Sequence, residues 1–169
     1  GSALIGKALG EKKKDEANSI FTFIVLFSVV IALITGVFGS IFIDKILVLL
    51  GAVGNYYEMC KSYLQTHFIF IVFYYLQNMF QIFFVTTGKP KMGLIVTLLG
   101  GITNILLDYL FLVVFNFGIE GAAIATGISY MIPAFVGIYC FTFNKSSLLK
   151  FCKDDIIIGA MRVYFHRVV

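Results

Sequence analysis

The chain has 169 residues, 60% of them hydrophobic and 13% charged, with a mean hydropathy of +0.97. A soluble domain carries about 25% charged residues and has too small a core to hide this much apolar surface. The composition excludes a cytosolic enzyme, a nucleic-acid-binding module and a disordered segment, and it points to an all-α integral membrane protein.

Residues 1–10 are small and apolar, too few to cross a bilayer, and they read as the end of a truncated transmembrane helix. Residues 11–150 then hold four long runs with almost no charge, predicted as spans over about 18–43, 62–88, 92–116 and 119–144. At about 1.5 Å per residue each exceeds the ~30 Å hydrocarbon thickness as a helix. None alternates in polarity as a spanning strand would, so helices are the expectation. Lys45 to Ala52 reads as a short apolar helix lying at the interface. Thr87-Gly88-Lys89-Pro90-Lys91 is a breaker cluster that predicts a tight hairpin, and Asn116-Phe117-Gly118 predicts the next turn. Residues 151–169 read as a tail or the truncated start of a further helix.

Charge sets the expected orientation. Lys7, Lys12, Lys13, Lys14, Lys89, Lys91, Lys145, Lys150, Lys153, Arg162 and Arg167 fall on one side of the spans, and only Lys45 and Lys61 on the other. Lys and Arg in short loops accumulate on the cytoplasmic face, so both ends of the chain are predicted to be cytoplasmic. The net charge of +4 is thereby a topology signal, and no nucleic-acid partner is invoked. Cys60, Cys140 and Cys152 show no CxxC or metal-ligand spacing.

One ionisable residue lies within a span. A carboxylate near mid-membrane costs at least ~2.5 kcal/mol, so Asp108 is expected to face the bundle interior or a water-filled cavity. Thr97, Gly101, Asn104 and Asp108 recur at steps of three to four and share one helix face. Thr126 lies nine residues after Phe117, as Asp108 lies nine before it, which predicts that the two are level in an antiparallel hairpin. Gly118, Ala122, Ala125, Ser129 and Pro133 form a small-residue face suited to close helix approach. Carboxylate, amide and hydroxyl oxygens at one depth suit Na⁺ or a proton. The competing reading is that Asp108 only ties helices together by hydrogen bonding. His67, Tyr74, Asn78 and Gln81 form a polar stripe in the second span, flanked by Tyr63 and Gln77, that serves either a substrate pathway or interhelical hydrogen bonding. His67 is alone as a metal ligand, Glu120 is expected among the headgroups, and no catalytic motif or cofactor fingerprint occurs.

The chain resembles the multidrug and toxic compound extrusion (MATE) family. The resemblance is carried by Ala3-Leu4-Ile5-Gly6-Lys7-Ala8-Leu9-Gly10, by Leu50-Gly51-Ala52 with Tyr63, by Thr87-Gly88-Lys89-Pro90-Lys91, and by Asn104-Ile105-Leu106-Leu107-Asp108-Tyr109-Leu110-Phe111 followed by Gly118-Ile119-Glu120-Gly121-Ala122-Ala123-Ile124-Ala125-Thr126. It implies part of a twelve-helix transporter built from two six-helix lobes, this chain supplying the end of helix two and helices three to six of the amino-terminal lobe. It further implies a bacterial inner-membrane antiporter that exports cationic amphipathic drugs in exchange for H⁺ or Na⁺ and needs no cofactor. Its partners would be the lipid bilayer, the drugs and the remainder of the same transporter. The family's amino-terminal cation site has its Asn, Asp and Thr elements at Asn104, Asp108 and Thr126. The first-helix aspartate that completes the site does not occur in this sequence, and the match fades after about Lys150. Two other expectations stand beside it: a lipid-linked sugar flippase of the same superfamily, and a structural four-helix membrane protein.

Overall fold

The computed structural model of the chain describes residues 1–144 and 147–152. Within them seven helices follow in order: α1 (Ser2–Gly10), α2 (Lys14–Ile41), α3 (Ile43–Leu49), α4 (Asn55–Ile69), α5 (Ile71–Thr86), α6 (Pro90–Asp108) and α7 (Gly118–Thr142). Three runs are long and apolar enough to cross a membrane: α2, α6 with its π-helical extension to Val114, and α7. A fourth crossing is available if α4 and α5 act as one broken span. Residues 153–169, predicted as a tail or the start of another helix, lie outside the described residues.

Local chemistry ends these helices where it does for definable reasons. After α5, Gly88 takes φ +73°, its N–H bonds to the Val85 carbonyl, and the Lys89 N–H reaches the Phe84 carbonyl. That is the Schellman arrangement, which needs a left-handed residue just past the helix and so favours glycine. Pro90 then opens α6, where its missing N–H costs nothing. The predicted breaker cluster is therefore a helix stop and a helix start in consecutive residues. The same closure recurs after α3 at Gly51, φ +79°.

Two predicted helices depart from regularity. The run expected as one span over 62–88 begins at Asn55 and is broken at Phe70, where its halves meet at 58°. No Gly or Pro marks the break. The Phe70 N–H bonds to His67 three residues back, which tightens the last turn of α4, and the Phe70 ring wedges onto α7. A Cβ built on Gly127 would sit only 2.2 Å from that ring, so glycine is what admits it. The third span changes character at Asp108: Tyr109–Val114 is π-helical, with the Phe115 N–H reaching the Leu110 carbonyl five residues back.

α7 is the central helix, packing on α4, α5 and α6, while α2 packs on α1, α4 and α5. The densest core lies towards the end of the bundle where α2 begins. There Phe21 meets Phe83, Phe141 and Phe151 at ring separations of 4.9–5.1 Å, and Ile5 and Ala8 of α1 are fully buried. The segment after α7 closes over this end: the Lys150 N–H donates to Asn18 Oδ1, the Cys152 N–H donates to Thr22 Oγ1, and Leu149 is buried. By contrast α2 exposes Leu26, Val30, Leu33, Val37 and Ile41, and α6 exposes Leu94, Leu98, Ile102 and Ile105. Apolar stripes of this size suit lipid tails.

Candidate functional site

Asn104 and Thr126 come together across the α6–α7 interface: Asn104 Nδ2 donates to Thr126 Oγ1 at 3.3 Å. Close helix approach makes this possible. One turn before Asn104, a Cβ on Gly100 would stand 3.1 Å from Pro133 Cγ and 3.2 Å from the Ser129 carbonyl, and the bare glycine lets α6 lie against α7. Ser129 and Pro133 of the predicted small-residue face are buried at this contact; of the rest of that face Ala125 is buried, Ala122 half-buried and Gly118 exposed. Since Asn104 uses its NH₂ group on Thr126, its carbonyl oxygen is left to act as an acceptor or ligand.

Asp108 stands one turn beyond Asn104 on α6, at the junction with the π-helical segment. Its Oδ1 is buried and has no hydrogen-bond partner among the described residues. An unpartnered buried carboxylate oxygen is costly and calls for a ligand. Equal residue counting about Phe117 predicts Asp108 level with Thr126; the group that hydrogen-bonds the hydroxyl is the amide of Asn104, four residues before Asp108.

The polar stripe of the second span separates at the Phe70 break. Asn78 turns its Nδ2 back to the Tyr74 carbonyl of its own helix at 2.7 Å. Gln81 lines a small cleft between α5 and α6 with Gln77, Gly93, Thr97 and Pro133. Tyr74 joins a ring cluster with His67 and Tyr130, at 6.1 Å from the first and 5.3 Å from the second. Tyr130 carries no sequence signal of its own beyond its spacing, one turn after Thr126 on α7.

The end of the bundle near the α6–α7 turn is held by charge and hydrogen bonds. Lys61 Nζ pairs with Asp44 Oδ1 at 2.7 Å, and the Tyr57 hydroxyl donates to the same oxygen at 2.7 Å, tying α3 to α4. These partners hold the Asp44 carboxyl below the usual carboxylate range, with the Lys61 hydrogen bond the larger cause. Glu120, expected among the headgroups, is exposed and accepts from the Ser62 hydroxyl, which links the start of α7 to α4. Among the described residues no group of three or more His, Cys, Asp or Glu is placed to hold a metal ion.

Comparison with known proteins places this arrangement. The chain is 30% identical to the probable multidrug resistance protein YoeA of Bacillus subtilis, over 90% of its own length and 34% of that protein. It is 28% identical to the multidrug export protein MepA of Staphylococcus aureus, over 83% of the chain and 31% of that protein. The chain thus spans about a third of the length of these relatives. Among solved structures, its fold matches an inward-facing multidrug resistance MATE family transporter of the MOP superfamily with a TM-score of 0.84 at 21% identity, over 96% of the chain and 38% of that structure. An outward-facing conformation of a MATE transporter of the same superfamily matches with a TM-score of 0.84 at 20% identity, over 95% of the chain and 37% of that structure. The profile of the MatE family matches residues 1–110, and with the helical fold and the named relatives it shows that the chain belongs to the MatE family of membrane transporters.

Proposed function

We propose that the chain is part of the amino-terminal lobe of a multidrug efflux antiporter, which exports cationic amphipathic compounds in exchange for H⁺ or Na⁺. The observation that carries this reading is the buried Asp108 Oδ1, without a hydrogen-bond partner among the described residues and one turn from the Asn104–Thr126 bridge. A carboxylate oxygen, an amide carbonyl oxygen and a hydroxyl are hard ligands, suited to Na⁺ or to sharing a proton. Either cation neutralises the carboxylate and supplies the partner that Oδ1 lacks. Asn104 and Thr126 belong to different helices, so a ligand gathered by both is sensitive to their spacing. A bound cation shifts the lobe between two shapes only by binding one of them better. That transporter sits in a bacterial inner membrane with the N-terminal segment and C-terminal tail of this chain cytoplasmic, and its small partners are the coupling ion and the exported drug.

The test is Asp108→Asn in the full-length protein that carries this chain, with export of a fluorescent cationic dye measured at matched membrane expression. The amide keeps the shape and removes the carboxylate. Export falls to background in the variant if the reading holds, and export at the parental rate removes Asp108 from the mechanism.

A further inference from the structure

We propose that His67 is a second proton-binding residue of this lobe, its imidazolium held by the rings of Tyr63, Tyr74 and Tyr130. This deepens the reading of the lobe as a cation-coupled transport element, but it stands on different residues. Three tyrosine rings surround the imidazole from three helices: Tyr63 of α4 stacks on it at 6.3 Å and 9°, Tyr74 of α5 lies at 6.1 Å, and the ring of Tyr130 of α7 stands perpendicular to it at 6.0 Å. Ring faces at about 6 Å attract a cation, and the attraction grows where water is excluded. Among the described residues His67 Nδ1 is buried without a hydrogen-bond partner, so the ring is packed in place while one of its two protonation sites is left unspent.

The position gives such a proton something to act on. His67 is in the last turn of α4, and its carbonyl accepts the Phe70 N–H that shapes the 58° break before α5. Positive charge at a helix carboxyl end favours that end. Tyr130 is one turn along α7 from Thr126, so α7 presents the His67 cluster and the Asn104 contact on one face. The neighbouring helices bring few rival charges. From α5 the titratable groups are Tyr74 and Tyr75; from α7 Tyr130, with Glu120, Tyr139 and Cys140 two or more turns from it; and from α4 itself Tyr63, with Tyr56, Tyr57, Glu58, Cys60 and Lys61 six or more residues before His67. α2 has no titratable residue between Glu16 and its end. On α3 Asp44 is engaged by Lys61 and Tyr57, leaving Lys45 beside the Phe42 ring, and Glu120 of α7 is engaged by Ser62.

The experiment is a ¹⁵N NMR titration of the histidine-labelled full-length protein in lipid nanodiscs, with the His67 signal identified by its loss in both His67→Gln and His67→Asn. The expected result is a His67 shift that moves with pH in a titration run from about pH 5 to 8. Tyr130→Leu should lower its proton affinity about threefold, and Tyr130→Phe, which keeps the ring, should restore it. A signal that does not move over that range, or a midpoint indifferent to Tyr130→Leu, overturns the proposal. The titration is repeated in Asp108→Asn: persistence there separates the His67 site from the Asp108 reading, whereas its loss makes His67 an echo of Asp108 and overturns an independent site.

Discussion

Asn104 of α6 and Thr126 of α7 are joined by an interhelical hydrogen bond of 3.3 Å, and the Asp108 carboxylate stands one helical turn along α6 with its Oδ1 unsatisfied among the described residues. The bridge is a weak fastener. Interhelical hydrogen bonds in membranes contribute on average about 0.6 kcal/mol. It serves better as a gauge of helix spacing that holds two oxygens beside a third.

Thr126→Val removes the hydroxyl while keeping the shape of the side chain. It should cost less than about 1 kcal/mol of stability, a small fall in thermal midpoint. Dye export by the full-length protein should nevertheless fall severalfold, and Thr126→Ser should recover most of it. A variant that exports normally would show that the hydroxyl is only structural.

The break at Phe70 depends on Gly127. Gly127→Ala places a methyl group where the Phe70 ring now lies, and overpacking of this kind costs about 1–3 kcal/mol. Phe70→Leu frees space at the same spot. The double variant should therefore be more stable than the two single losses predict, with a coupling of about 0.5 kcal/mol or more in thermal unfolding of the purified protein. Strict additivity would mean that ring and glycine do not meet.

The Asp44 clasp carries a pH signature. Its carboxyl is held below the usual range, so the folded state favours the charged form. The clasp is therefore complete above the ordinary Asp value of about 3.9 and is lost only as pH falls through the depressed folded value. At pH 7 it should be insensitive to small pH changes but sensitive to salt, since Asp44 is exposed and Lys61 half-buried. Lys61→Met should speed hydrogen exchange of the α3 amides at pH 7. Unchanged exchange would show that packing alone holds α3.

Much of this was legible in the sequence, and the misses have physical causes. Helix existence follows from charge-free runs that have no other way to satisfy their backbone in lipid, and Gly88 with Pro90 is a stop and start readable from residue type alone. Asn104, Asp108 and Thr126 stood out because polar groups are expensive in that setting. The Asn104–Thr126 hydrogen bond was not legible, because residue types do not say which polar groups of two facing helices meet, and the π-helical turns of Tyr109–Val114 carry no sequence signal. The Phe70 break was hidden for a different reason. Its cause is tertiary, an aromatic ring finding a glycine on a helix more than fifty residues away. Tyr130 escaped notice because a tyrosine in an apolar run has no pattern until the helices around it are assembled.

The most direct test of the cation site is a binding measurement on the purified full-length protein. ²²Na⁺ binding and proton uptake on acidification are both compared between the parent and Asp108→Asn. The parent should bind one Na⁺, or take up one proton, that Asp108→Asn does not while remaining folded. Equal ²²Na⁺ binding together with equal proton uptake by the two proteins would contradict a coupling site at Asp108.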